Sequence, residues 1–147
     1  MPVAAPTLAE DNKAVIRRLF EEVWNKGNFA LIDEIVAPNF TNHDPATPDL
    51  GRGPEAYRQL ATRYRMAFPD LHFTIEEVVA EGDKVAVRYT SRGTHQSELS
   101  GIAATGKQVT VTGTFISRLA NGQVEESWVN WDALGLLQQL GAVPAIG

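Results

Sequence analysis

The hydrophobic period of this chain changes once, at Leu71, and that change restricts it to a small set of folds. Ahead of it, Val15, Ile16, Leu19, Phe20, Val23 and Trp24 recur three and four residues apart, as do Tyr57, Leu60, Ala61, Tyr64, Ala67 and Phe68. That spacing gives each segment one apolar face as a helix. Beyond it, Leu71, Phe73 and Ile75, then Val85, Val87 and Tyr89, alternate with their neighbours in the manner of strands with one buried side. Helices grouped ahead of strands predict an α+β domain, with N-terminal helices packed on a mainly antiparallel sheet.

Local signals place the boundaries. Thr7-Leu8-Ala9-Glu10 has capping-box spacing at the start of the first helix, and Gly27 ends that helix. Asn28 can cap a short second helix with Leu31, Ile32, Ile35 and Val36 on its buried face, stopped by Pro38. Phe40 to Pro45 reads as a brief extended piece feeding a polar loop, and Pro54 opens a third helix that Pro69 closes. Gly82-Asp83 marks a turn, Ser97 to Gly106 a longer arch, and Asn121-Gly122 a hairpin into the last strand. The expectation is three helices followed by a four-stranded antiparallel meander. It forms one domain over residues 1–147, with residues 1–7 a loose arm. A strongly curved sheet wrapped around helices makes a cone, and a cone with too few large side chains to fill it holds a pocket.

Composition removes several functions. With a formal charge of −5, the chain lacks the clustered Lys and Arg that nucleic-acid phosphates require. No apolar run is long enough to span a bilayer, so no membrane partner is expected. The chain contains no cysteine, which excludes thiolate catalysis and disulfides and suits a cytoplasmic setting. The opening residues lack a basic segment and run into Glu10-Asp11-Asn12-Lys13, unlike an export signal. Three dispersed histidines without metal-ligand spacing predict no metal, and the absence of Gly-rich phosphate loops predicts no nucleotide cofactor.

The most chemically suggestive segment is Glu125 to Asp132, Glu-Glu-Ser-Trp-Val-Asn-Trp-Asp. Alternation puts Glu126, Trp128, Asn130 and Asp132 on one side and Ser127, Val129 and Trp131 on the other. A carboxylate held against indole and aliphatic surface is disfavoured in its charged form, which tunes it for proton transfer. Asp132 is equally suited to cap the helix that follows from Ala133 to Leu140.

The order of elements, with Asn42-His43-Asp44-Pro45, Gly93-Thr94-His95, Thr105-Gly106-Lys107 and the run from Trp128 through Leu140-Gly141, resembles the SnoaL-like polyketide cyclase, or ester cyclase, family over nearly the whole chain. The resemblance implies the cone-shaped fold of nuclear transport factor 2. It also implies a cofactor-free intramolecular aldol condensation in which a pocket aspartate is both acid and base. By position in the final strand, Asp132 is the residue matched to that aspartate.

Aldol closure requires a proton to be taken from the carbon alpha to a carbonyl, the enolate to be stabilised and the new alkoxide to be protonated. His43 is the candidate donor to the enolate oxygen, with Asn42 orienting it or the substrate; local turn hydrogen bonds are the competing role for Asn42 and Asp44. Arg88 and Arg118 lie among apolar strand neighbours, where either an inward charge or a solvated face is open to them. His95 lies at a strand end within reach of a pocket mouth or on an exposed edge, and His72 alternates out of the core. Trp24, Tyr64, Phe68, Phe115 and Trp128 are candidate cavity walls, or plain core, and Asn130 shares a face with Trp128.

The leading expectation is therefore acid and base chemistry on a hydrophobic carbonyl compound. Hydrolysis of an epoxide or ester by an Asp-activated water is the enzyme alternative and needs a second acid and an Arg beside Asp132. A non-catalytic small-molecule binding module is the other alternative. A homodimer formed through the outer sheet face is the expected partner.

Overall fold

The computed structural model describes residues 7–144, so the arm expected over residues 1–7 lies outside the described residues apart from Thr7. Helix α1 spans Leu8–Arg18, and Thr7 caps it by accepting the Glu10 N–H. It runs on as a π-helical stretch, Leu19–Asn25, which puts Leu19, Phe20, Val23 and Trp24 inside. Gly27, at φ +73°, ends the run as its sequence position predicts. A short 3-10 turn, Phe29–Leu31, leads into α2, Ile32–Ile35.

Strand β1, Val36–His43, begins earlier than the sequence suggests and runs through Pro38. Its position at the sheet edge makes the proline tolerable, since an edge strand has one unpaired side. Helix α3, Gly53–Ala67, carries proline in its first turn and ends at Phe68. The remaining strands are β2, His72–Glu81; β3, Lys84–Thr94; β4, Gln108–Ala120; and β5, Gln123–Trp131. Helix α4, Ala133–Leu140, closes with Gly141 in the left-handed conformation.

The sheet order is β1-β5-β4-β3-β2. Four strands form the expected antiparallel meander. The fifth, β1, pairs parallel with β5, so the sheet has five strands and is mixed rather than a four-stranded meander. Turn chemistry in the meander announces its pairings locally, whereas a parallel pair joins segments far apart in sequence and leaves no such mark. The helices pack on the concave side of the sheet. The core there joins Phe20 to Phe73, Tyr89 and Phe115, with the Phe20 and Phe115 rings stacked at 4.9 Å. The architecture is the α+β arrangement expected; the sheet does not close into a barrel.

Candidate active site

A cavity of about 130 Å³ lies between the helices and the concave face of the sheet. The π-helical stretch contributes Leu19, Phe20 and Trp24, α3 contributes Tyr57, Leu60 and Tyr64, and the strands contribute Phe73, Tyr89, Val111, Phe115 and Val129. Trp24 donates its indole N–H to the Tyr57 hydroxyl at 2.6 Å, which fixes two of these walls against each other. Burial pushes the Tyr57 phenol well above its ordinary pKa.

Among the described residues one carboxylate stands within this apolar enclosure, Asp44, just beyond the end of β1. It is 9 % exposed. Trp131 donates its indole N–H to Asp44 Oδ2 at 3.2 Å, and the Ala46 backbone N–H donates to Oδ1 at 2.8 Å. Each carboxylate oxygen thus receives one donor and retains a lone pair. Two phenols complete the polar pole. Tyr64, set edge-on to Trp131 at 6.2 Å, has its pKa pushed up to about 12, first by burial and then by the charge of Asp44. The Tyr89 phenol is raised by burial, by Asp44 and by Tyr64. Both therefore remain protonated hydrogen-bond donors at neutral pH.

The structure places Asp132 elsewhere. It is exposed, serves as the N-cap of α4, and accepts the Gly135 N–H at 2.8 Å. Glu126, Trp128 and Asn130 point to the convex face with it, whereas Ser127, Val129 and Trp131 line the cavity. The phase of the final strand is the opposite of the one expected, and a β-bulge is the cause. A plain two-residue hairpin at Asn121-Gly122 would set Phe115 opposite Trp128 and turn both inward. In the structure Leu119 pairs with Val124 but Arg118 pairs with Glu126, which leaves Glu125 as an extra residue. That insertion sets Phe115 opposite Val129 and reverses every later side chain.

The remaining candidates separate in the same way. Asn42, Trp24, Tyr64, Phe68 and Phe115 lie on the cavity. His43 is on the outer face, 2.7 Å from Glu126 through Nε2 and stacked on Trp128 at 5.5 Å, because alternation along β1 turns it away from its neighbours Asn42 and Asp44. Arg88 pairs with Glu77 at 3.2 Å, and Arg118 with Glu125 at 2.7 Å and Glu126 at 3.3 Å, all outside the cavity. Asn130 lines a shallow outer groove with Arg88 and Thr114. His95 is fully buried rather than at an exposed edge; its Nδ1 accepts the Thr105 N–H at 3.2 Å and anchors the arch between β3 and β4. Asp44 was legible only as a turn residue. Its distance of two from Asn42 was the available signal, since i and i+2 of an extended segment share a face.

The comparisons with known proteins agree with this architecture. The SnoaL-like polyketide cyclase family profile matches residues 14–140. Aklanonic acid methyl ester cyclase DnrD of Streptomyces peucetius is 28% identical over 130 residues, 86% of this chain and 88% of that protein. The solved structure of TsrD from Streptomyces laurentii superposes with a TM-score of 0.82 at 28% identity, covering 90% of this chain and 96% of that one. A structure from Jannaschia Sp. CCS1 named for the same family gives a TM-score of 0.85 at 26% identity, over 97% of this chain and 100% of that one. By the extent of the profile match, this chain belongs to the SnoaL-like polyketide cyclase family.

Proposed function

We propose that the protein is a cofactor-free acid and base catalyst that enolises a hydrophobic carbonyl compound and closes a ring by intramolecular aldol condensation, with Asp44 as the proton-transferring group. The observation that carries this reading is the placement of one buried, doubly hydrogen-bonded carboxylate among the walls of an otherwise aromatic cavity. Asp44 takes the proton from the carbon alpha to a carbonyl, and Tyr64 or Tyr89 donates a hydrogen bond to the enolate oxygen that develops. The enolate carbon attacks the second carbonyl, and protonated Asp44 returns its proton to the new alkoxide. Exclusion of water and the folding of the substrate against the aromatic walls supply the remainder.

Asp44 is preferred to Asp132 because it faces the cavity, whereas Asp132 is exposed and occupied as a helix cap. Hydrolysis by an activated water is less well supported: among the described residues Asp44 is the single acid of the cavity walls, Arg88 and Arg118 are both paired on the outer face, and Arg92, which borders the cavity, is exposed. The capping role of Asp132 taken alone suits a binding module, but the Asp44 cluster gives the cavity reactive groups that binding does not require. The test is deuterium exchange at the alpha carbons of hydrophobic beta-keto esters and diketones, followed by NMR with the native protein and Asp44→Asn. Equal exchange with and without native protein would sink the enolisation reading for those compounds.

The same proposal includes a cytoplasmic setting, supported by the cysteine-free composition, and a homodimer. The dimer is supported by a row of side chains on the convex face, where Val79 pairs with Ala86, Ala86 with Ile116 and Ile116 with Trp128. Val79, Ile116 and Trp128 are all exposed, and rows of charge flank them: Glu77 and Arg88 on one side, Lys84, Arg118 and Glu126 on the other. An apolar stripe between charges of both signs is suited to pairing with its own copy about a two-fold axis.

A further inference from the structure

One polar row inside the cavity has no part in the proton transfer just described. Across the concave face, Asn42 of β1 pairs with Ser127 of β5, and Ser127 pairs with Ser117 of β4. Cross-strand partners present their side chains side by side, so these three polar groups form a line across three strands. All three line the cavity. Ser117 and Ser127 are buried, and their hydroxyl oxygens are 2.8 Å apart.

The hydrogen-bonding capacity of this row is unfilled. Asn42 makes no side-chain hydrogen bond among the described residues, and its Nδ2 is buried without a partner. The two serine hydroxyls have two hydrogens, and their mutual bond uses one. The second has no acceptor among the described residues. At least two donors are therefore held in an apolar enclosure with nothing to receive them, an arrangement that costs stability unless something else is gained. A neutral oxygen acceptor on a ligand would satisfy both. No acidic side chain lies in this row, and the cationic residue that borders the cavity, Arg92, is exposed on β3 outside it.

We propose that Asn42, Ser117 and Ser127 form a carbonyl-binding subsite that holds a second oxygen of the substrate, away from the carbon at which Asp44 acts. The subsite rests on the reading of the cavity as a substrate pocket and specifies its substrate class. Asn42 and Asp44 are two residues apart along an extended segment, so the two polar poles are separated by about 7 Å. Phe115 and Val129 form the next inward row beyond the two serines, on the Asp44 side. The substrate is thus a flat, largely carbon skeleton bearing two oxygen functions about 7 Å apart, one at each pole. Asn42, Ser117 and Ser127 are binding residues that choose and orient the ligand.

The experiment compares 1-tetralone with tetralin, two bicyclic probes of nearly equal shape that differ by one carbonyl oxygen. Binding is titrated by quenching of tryptophan fluorescence, which Trp24 and Trp131 report from the cavity wall. The native protein is expected to prefer tetralone by about tenfold, the worth of one or two well-made hydrogen bonds. Asn42→Leu and the double variant Ser117→Ala/Ser127→Ala should each reduce that preference while leaving tetralin affinity unchanged. The infrared carbonyl stretch of bound tetralone should lie at lower frequency in the native protein than in either variant. Equal affinity for the two probes in the native protein, a preference untouched by both sets of substitutions, or failure of both probes to bind would overturn the subsite. Circular dichroism of both variants identifies loss of fold, and the serine pair removes only two oxygen atoms if Asn42→Leu does not fold. The readout needs no proton transfer, so a failure of Asp44 to catalyse exchange would leave it unaffected, and a lost preference with exchange retained would remove the subsite alone.

Discussion

Trp131 donates its indole N–H to Asp44 Oδ2 at 3.2 Å, joining the end of the last strand to the end of the first. The bond leaves Asp44 oriented in a cavity whose walls include the phenols of Tyr64 and Tyr89. The expected consequence is that Asp44→Asn lowers the protein-catalysed rate of alpha-proton exchange by about 10²–10⁴-fold, the usual worth of a positioned acid or base. NMR exchange rates on a variant with native circular dichroism provide the measurement; a rate within about twofold of native would exclude Asp44 as the base.

Asp132 should behave differently. Asp132→Ala removes the cap of α4 and is expected to lower the unfolding free energy by about 1 kcal/mol while alpha-proton exchange per folded molecule stays unchanged. Urea denaturation and the exchange assay read the two effects separately. Loss of exchange in a folded Asp132→Ala protein would return the catalytic role to that residue.

The buried phenols predict a particular alkaline response. Tyr64 has an ordinary value of 10.0 and is raised to about 12 in the folded protein, so between those values the unfolded chain gives up a proton that the native state keeps. The unfolded state then binds fewer protons, and stability falls as pH rises through this window. Tyr57 and Tyr89 are raised too and steepen the fall. Thermal unfolding midpoints across the window should decline, and Tyr64→Phe should make the decline shallower. An identical slope in that variant would remove Tyr64 from the explanation.

Gly113 should tolerate no side chain. A Cβ there would lie 2.5 Å from the Tyr89 hydroxyl, 2.6 Å from its Cζ and 2.9 Å from Trp131 Cβ. The tyrosine tip can swing aside, but the Trp131 Cβ is fixed by its strand. Gly113→Ala is expected to cost about 1–3 kcal/mol in denaturant unfolding, with Tyr89 displaced from the cavity wall. A variant as stable as native would show that the strands yield there more easily than their packing implies.

The convex face carries the prediction about assembly. The native protein should sediment as a dimer, and Trp128→Glu, which puts a charge in the exposed apolar row, should sediment as a monomer. A native protein that sediments as a monomer at micromolar concentration would dismiss this interface.

The helices and the meander were legible because their signals are local. Thr7 and Gly27 bracket the first helix, Asn121-Gly122 turns the last hairpin, and each alternating run shows its period within a few residues. Strand β1 was half-hidden because its partner lies far along the chain, with Asn42 beside Ser127 and His43 beside Trp128, and nothing within Asn42-His43-Asp44 announces that pairing. The site failed to emerge for a related reason. Both sides of Ser127 to Asp132 carry one tryptophan, so composition cannot say which faces inward, and the answer depends on Glu125 slipping out of register. A pattern of period two fixes faces only once its phase is known.

Because β1 is closed into the sheet by β5, the cavity cannot be assembled in the order in which the chain is made. The first three helices and β1 leave the ribosome ahead of the meander, while the strand that completes the wall beside Asp44 follows every other strand of the sheet. Until then Asp44 lacks the Trp131 indole that bonds it, and Tyr64 of α3 lacks the ring it meets edge-on. A pairing of this sequence separation also forms slowly. The pocket is complete only once β5 is in place, and truncation within β5 should open the wall beside Asp44.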